Sequence, residues 1–236
     1  NGSIGKAYGY QLGVKHQYKE GMMDQVDRVI YDLKNNPFSR RIMTNIYVHQ
    51  DLHEMNLYPC AYSMTFNVTQ KKGEDKLTLN AVLNQRSQDV LAANNWNVVQ
   101  YSVLVHMLAQ VCDMNVGELV HVIADAHIYD RHIPIIEELI KRPQYDAPKF
   151  TLNPDVKDFY EFTRHDVSVE NYVTGEQITD IPIAILSPSS IIWYSSIALR
   201  TKLNTCCNFI YQFLFTKILC LKVILYFFSY CNNRFS

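Results

Sequence analysis

Tyr62, Met64, Phe66 and Val68 alternate with smaller or polar residues, and after the polar stretch QKKGEDK the alternation resumes from Leu77 to Leu83. Two such runs joined by a short polar turn predict a hairpin with one face of each strand buried. A partner for that face follows directly. Between Val98 and Cys112, Val99, Val103, Leu104, Met107, Leu108 and Val111 recur at helical spacing without Gly or Pro, which predicts a core helix. Glu118 to Ala126 reads as a further apolar strand. Hairpin, core helix and strand in this order restrict the chain to a mixed α and β domain.

Around this centre the pattern is sparser. Glycines at positions 2, 5, 9 and 13 argue against a long helix at the start. Met23, Val26, Val29, Ile30 and Leu33 predict a helix from Met22 to Asn36 with Asp24 in its first turn, ended by Asn35, Asn36 and Pro37. Ile42 to Val48 reads as a strand. Ile133 to Arg142 reads as a short helix that tolerates Pro134 at its start and stops at Pro143. Phe150 to Leu152 and Tyr160 to Phe162 read as short strands. At 236 residues and 48% apolar composition, one extended domain is the expectation.

Net charge is −1, yet all 23 acidic residues and 17 of the 22 basic ones fall before residue 186. The first 185 residues are therefore acidic and do not resemble a surface that binds DNA. An anion bound there must meet a local cluster of cations. The six cysteines and the absence of a leading signal segment suit reduced thiols in the cytoplasm. His49 and His53 have the spacing of a helical metal pair, but TNIYVHQDLH reads as a strand leading into a turn, so no metal site is expected.

Candidate chemistry centres on LYPCAYSMTF. Cys60 follows Pro59 and precedes the first alternating run, and a thiol is the readiest nucleophile among side chains when cations stand near it. Arg40 and Arg41 precede it and Arg86 follows it. The plain alternative is a buried structural cysteine. Gln85, Arg86, Ser87 and Asp89 arrive together at a strand end, a placement that suits recognition of a polar ligand. Asn97 stands where a cap of the core helix is expected, and His106 within that helix reads as a core histidine. His127 and Tyr129 share a face if their strand continues. No nucleophile-elbow motif accompanies Cys60, which argues against a Cys60–His127 hydrolase.

Cys60 in its LYPCAYSMTF setting, Ser39 to Arg41, QRSQDVLAANNWN from Gln85 to Asn97, LVHMLAQVCDMNVGEL, ADAHIYDRH and the IPIAI run ending at Ile185 together resemble thymidylate synthase of the folate-dependent, cysteine-using type. The likeness runs from about Gly2 to Ile185. It implies an α+β fold, a large mixed β-sheet packed against helices, with a homodimer formed through the sheet. It also implies conversion of dUMP to dTMP, with 5,10-methylenetetrahydrofolate as the co-substrate that leaves as dihydrofolate. By resemblance Cys60 adds to uracil C6. Arg40, Arg41, Arg86 and Ser87 match phosphate ligands, the Arg pair coming from the other subunit. Asn97 matches the residue that reads uracil O4 and N3, and His127 and Tyr129 match ribose contacts. Asp89 matches a contact to the folate pterin ring, Tyr8 the tyrosine beside the nucleophile, and Gln85 a supporting residue.

Several positions depart from the family pattern. Ala61 stands where many members have His, NNW at 94 to 96 replaces LPF, and Ala93 stands where Gly is usual. The resemblance further implies a family N-terminal portion before Asn1, and a chain end at Ile185 whose free carboxylate helps a lid close over ligands. Residues 186 to 236 form a basic, apolar tail with no acid and no Gly. Within it Phe209 to Tyr230 is long enough to span a bilayer, but Lys217 and Lys222 argue against a membrane anchor. Two alternatives stay open: an inactive nucleotide-binding fragment, and a deoxycytidylate hydroxymethylase, against which Asn97 argues because that enzyme carries Asp there.

Overall fold

A computed structural model describes residues 2–183, 191–194 and 197–202. In chain order the regular elements begin with α1 (Gly9–Gly13), β1 (His16–Tyr18), β2 (Gly21–Met23), α2 (Gln25–Asn35) and β3 (Met43–Asn45). Then come β4 (Ala61–Thr69), β5 (Thr78–Gln85), β6 (Gln88–Asp89), α3 (Asn94–Val111), β7 (Asn115–Ile123) and β8 (Ala126–Tyr129). The chain continues with α4 (Ile133–Leu139), β9 (Lys149–Leu152), β10 (Val167–Glu170), β11 (Ile191–Tyr194) and β12 (Ile197–Lys202).

The predicted hairpin is β4 and β5, paired antiparallel from Thr69 and Thr78 back to Ala61 and Gln85. It sits inside a five-stranded sheet of order β12, β7, β5, β4, β3. Only β5 and β7 run parallel there, as a strand, helix, strand connection requires. That connection is α3, thirteen of whose eighteen residues are buried. A helix buried on nearly every side cannot lie on a surface, and α3 packs on β5 and β7, against Leu79, Ala81, Leu83 and Leu119. A second sheet, β11, β8, β6, takes over where the first ends: β6 follows β5 and β8 follows β7, again parallel. The functional candidates lie at this step between sheets.

Gly117 interrupts the β5–β7 pairing where the register shifts between Leu79 and Ala81. A Cβ at that position would run into the Asn80 side chain and the Leu79 carbonyl, so glycine admits the bulge. Beyond it, Leu83 pairs with His121 and Gln85 with Ile123.

Several expectations need correction. The helix expected from Met22 starts at Gln25, because Gly21–Met23 pairs with His16–Tyr18 and Asp24 becomes the cap. Tyr62 leaves the buried face and Ala61 enters it, owing to a register shift between Ala61 and Ser63. The strand expected over 42–48 is regular only at Met43–Asn45, although Ile42, Thr44 and Ile46 keep the buried alternation. Tyr160 to Phe162 is not a strand. Phe159–Glu161 is a helical turn whose Asp158 side chain accepts from the Tyr160 N–H, and it buries Phe159 and Phe162 three apart. The strand expected from Glu118 to Ala126 divides into β7 and β8. His49–Glu54 is also a helical turn, and among the described residues no group of ligands could hold a metal.

In the tail, β11 lies antiparallel to β8 and β12 antiparallel to β7, strands that periodicity did not reveal. Ile185 and the apolar run 209–230 lie outside the described residues. No described helix is long and apolar enough to cross a membrane.

Asp24 ties three parts of the fold together. It is fully buried, accepts from the Val26 and Asp27 N–H groups at 3.0 and 2.9 Å, and accepts from the Tyr160 hydroxyl at 3.0 Å. Lys15 Nζ lies 3.4 Å from its other oxygen. Asp24→Ala removes the cap and the bond from the Tyr160 hydroxyl, so stability is expected to fall by about 2 to 3 kcal/mol. A lower urea midpoint with an unchanged slope checks this.

Candidate active site

Cys60 lies at the mouth of the hairpin, one residue before β4. Its position follows from the pairing of Ala61 with Gln85, continued by the Arg86 N–H donating to the Cys60 carbonyl at 2.9 Å. The Arg86 side chain then turns back over the Cys60 thiol. Its Nε donates to the Pro59 carbonyl at 3.1 Å and its Nη2 to the Tyr58 carbonyl at 3.0 Å, with Nη2 3.8 Å from Cys60 Sγ. One guanidinium thus braces the Tyr58–Pro59 turn and places its charge on the sulfur.

Tyr8 approaches from the other side. Its hydroxyl accepts the Cys60 N–H at 3.1 Å, across 52 residues of chain. Burial is the main force that pushes its phenol up to about 12, with the Cys60 N–H hydrogen bond and the Arg86 charge pulling the other way. The residue adopts φ 49° and ψ −113° just before α1, a backbone strain that bulky side chains avoid and that accumulates at functional sites.

A buried amide chain lies behind the thiol. Gln85 Nε2 donates to the Ser87 carbonyl at 2.8 Å and to Asn97 Oδ1 at 3.4 Å, while Gln85 Oε1 is 2.8 Å from His121 Nε2. Asn97 is not the helix cap that was expected. α3 begins at Asn94 with Ala93 before it, and Asn97 sits one turn in, its N–H donating to the Ala93 carbonyl. Asn94 and Asn95 are buried in that first turn. Asn97's side chain therefore serves no cap and stays half-exposed beside Gln85.

The second sheet brings the remaining candidates. Asp89 in β6 pairs with His127 in β8. Asp89 Oδ1 accepts from the Leu91 and Ala92 N–H groups, both at 3.0 Å, and among the described residues its second oxygen has no hydrogen-bond donor. His127 Nδ1 is 3.3 Å from Asp125 Oδ1. A carboxylate only accepts, so Nδ1 carries the proton and a neutral ring keeps Nε2 as an acceptor. Tyr129 packs edge-on to His127 at 5.1 Å. Its phenol is raised by burial first, then by Asp89, Asp125 and Cys60. Among the described residues, then, Tyr8, Cys60 and Arg86 form one hydrogen-bonded group and Gln85, Ser87 and Asn97 a second, joined through the Gln85–Arg86–Ser87 chain, and Asp89, His127 and Tyr129 lie on the adjoining sheet.

Arg40 and Arg41 do not join it. They stand exposed in the turn between α2 and β3, and among the described residues neither guanidinium has a hydrogen-bond or ion-pair partner. Periodicity also missed His121, although a histidine in register with Leu119 and Ile123 on a buried strand face was a visible sign.

Cys112 is the other cysteine outside the tail. Burial pushes the Cys112 thiol up to about 11, so at pH 8 only about one part in a thousand is thiolate. Iodoacetamide labelling of Cys112 is expected to be slow at pH 8 and to rise steeply as pH climbs toward 11. Peptide mapping over a pH series measures it.

The family model described as Thymidylate synthase matches residues 1–185. Thymidylate synthase from Bacillus licheniformis is 44% identical over 180 residues, which is 76% of this chain and 62% of the relative. Thymidylate synthase 1 from Bacillus amyloliquefaciens is 41% identical over 185 residues, 78% of each chain. The structure is similar to the thermostable thymidylate synthase A from Bacillus subtilis, with a TM-score of 0.69 and 41% identity, covering 77% of this chain and 63% of that one. The chain thus spans less than two thirds of the length of several relatives it matches.

Proposed function

Because this chain belongs to the thymidylate synthase family, with its α+β fold of a mixed sheet against helices, we propose that it converts dUMP to dTMP. The observation that carries this is Cys60, whose sulfur lies 3.8 Å from the Arg86 guanidinium and whose N–H donates to the Tyr8 hydroxyl, at the edge of a buried amide chain.

Uracil C5 is a poor nucleophile until something adds at C6. The Cys60 thiolate forms the S–C6 bond, and the displaced electron pair moves through C5 to O4, giving an enolate able to attack an electrophilic carbon. Asn97 meets the O4 acceptor and the N3–H donor with one amide and receives the charge that grows at O4. Arg86 and Ser87 hold the phosphate, and charge-assisted Arg to phosphate bonds are about twice as strong as neutral ones. His127, with its Nε2 acceptor, and Tyr129 take the ribose hydroxyls.

The co-substrate 5,10-methylenetetrahydrofolate supplies the one-carbon unit and a hydride. Asp89 suits its pterin ring, because one carboxylate oxygen is engaged by Leu91 and Ala92 and the other remains to accept ring N–H groups. Arg40 and Arg41 complete the phosphate site from a second copy in a homodimer. Their exposure without partners supports this, as does the sheet face opposite α3, where Thr65, Val82, Asn84, Val120 and Val122 stay partly exposed. Residues 1–185 form the catalytic domain of a cytoplasmic enzyme and 186–236 an extension of it.

The reading as a deoxycytidylate hydroxymethylase loses to the relatives' names. A binding fragment without turnover is separated by experiment. Calorimetric titration with dUMP is expected to show saturable binding, and adding methylenetetrahydrofolate is expected to produce dTMP and dihydrofolate in equal amounts. Binding without dTMP leaves the binding fragment, and no binding removes the proposal.

A further inference from the structure

An asparagine amide is nearly symmetric in shape. Rotating it by half a turn exchanges its oxygen and nitrogen, and with them the base edge it reads. With Nδ2 toward position 4 and Oδ1 toward N3, it fits the O4 acceptor and N3–H donor of uracil. Turned over, it fits the amino group and bare N3 of cytosine equally well. Asn97 alone therefore does not discriminate between the two bases. Something must fix which way its amide faces.

Gln85 is placed to do so. Its Nε2 donates to Asn97 Oδ1 at 3.4 Å, and a flipped Asn97 would set an NH2 group against that donor. Gln85 has the same ambiguity, which its other neighbours resolve. The Ser87 carbonyl, 2.8 Å from Nε2, can only accept, so Gln85 Oε1 faces His121 at 2.8 Å. An amide oxygen can only accept, so His121 must donate from Nε2. Both Gln85 and His121 are about 2% exposed, so water does not compete for these bonds.

We infer that His121 is a specificity-determining positioning residue, which together with the Ser87 carbonyl holds the Gln85 amide in one sense and through it locks Asn97 in the sense that reads uracil and rejects cytosine. This rests on the reading of the site as one for dUMP. His121 touches no substrate and acts wholly through Gln85. Its place follows from the strand register, because Gln85 and His121 lie on the same buried face of the parallel strands β5 and β7. Burial also holds the ring neutral, depressing it from 6.5 to about 4. Nδ1 has no hydrogen-bond partner among the described residues, consistent with a single proton on Nε2.

The test compares wild type, His121→Leu and His121→Gln. Leu removes the donor, whereas Gln can bring an N–H close to the position of imidazole Nε2. Dissociation constants for dUMP and dCMP are measured by calorimetry on each whole chain. His121→Leu is expected to lower the dUMP to dCMP preference by about tenfold or more, the scale of one buried hydrogen bond. His121→Gln is expected to restore most of the preference. A merely structural role would weaken both nucleotides together and leave their ratio unchanged, which would overturn the inference. If His121→Leu does not fold, His121→Asn, whose shorter amide falls short of Gln85, is expected to lose the preference in its place.

A ligand-free readout separates this inference from the functional reading beneath it. The side-chain amide resonances of Gln85 and Asn97 are expected to shift and broaden in the Leu or Asn variant and to return in the Gln variant. If wild type binds neither nucleotide, the dUMP reading fails, and with it the specificity role. Binding with discrimination, combined with unmoved amide resonances in the donor-free variant, would overturn the positioning role alone.

Discussion

Cys60→Ala is expected to lower dTMP formation by about 10⁴-fold or more while changing dUMP affinity by less than about tenfold, because loss of a covalent nucleophile removes a step rather than a contact. Arg86, Ser87, Asn97, His127 and Tyr129, the residues proposed as the nucleotide's polar partners, all survive the substitution. No other described thiol can take over. Cys112 terminates α3 beyond Val111, and burial keeps it protonated, with a value of about 11. Cys60→Ser is expected to fare little better, since a hydroxyl is far harder to ionise than a thiol. Single-turnover kinetics with dUMP and methylenetetrahydrofolate measure the first effect and calorimetry the second. Activity above about one part in ten in either variant would assign the chemistry to another group.

Arg86→Lys is expected to cost both steps, raising KM for dUMP about tenfold and lowering kcat about a hundredfold. The wild-type guanidinium uses two nitrogens to brace the turn, on the Pro59 and Tyr58 carbonyls, and still sets Nη2 3.8 Å from the sulfur. A lysine ammonium is a single point at the end of a flexible stem. It cannot brace two carbonyls, stand beside Sγ and offer a fork to phosphate at once. A loosened Tyr58–Pro59 turn moves Cys60 itself, so kcat suffers beyond the loss of phosphate binding. Steady-state kinetics split the two effects. A change confined to KM would show that Arg86 serves the phosphate alone.

Much of the fold could be read from the sequence because strand and helix periods are local properties. The β4–β5 hairpin and the core of α3 follow from alternation and from a run without Gly or Pro. The failures occurred where a local pattern met a tertiary constraint. Asn97 has the chemistry of a cap, but a cap is fixed by where the chain turns, and the chain enters α3 at Asn94, one turn earlier. Tyr62 should face inward by alternation, and a register shift between Ala61 and Ser63 turns it away. Gly117 permits the bulge that sets the pairing of Leu83 with His121, and no propensity foretells it.

The site was legible only as residue types. Cys60, Arg86, Gln85 and Asn97 stood out by chemistry and resemblance, but the contact between Tyr8 and Cys60 joins residues 52 apart. Its strained backbone appears only in three dimensions. His121 is the instructive omission. A polar residue in the inward register of an apolar strand must find a partner, and Gln85 sits inward on a neighbouring strand. The two signs lie 36 residues apart, and they combine only when β5 and β7 are known to run side by side.

The central claim is that Cys60 attacks a pyrimidine nucleotide held by this site. The most direct measurement incubates the protein with 5-fluoro-dUMP and methylenetetrahydrofolate, denatures it, and maps modified peptides by mass spectrometry. Fluorine at C5 cannot leave as a proton does, so an adduct that has formed stays in place. The expected result is a ternary adduct on the peptide containing Cys60, absent from Cys60→Ala and suppressed by excess dUMP. An adduct on another cysteine, or none in a protein that demonstrably binds dUMP, would contradict it.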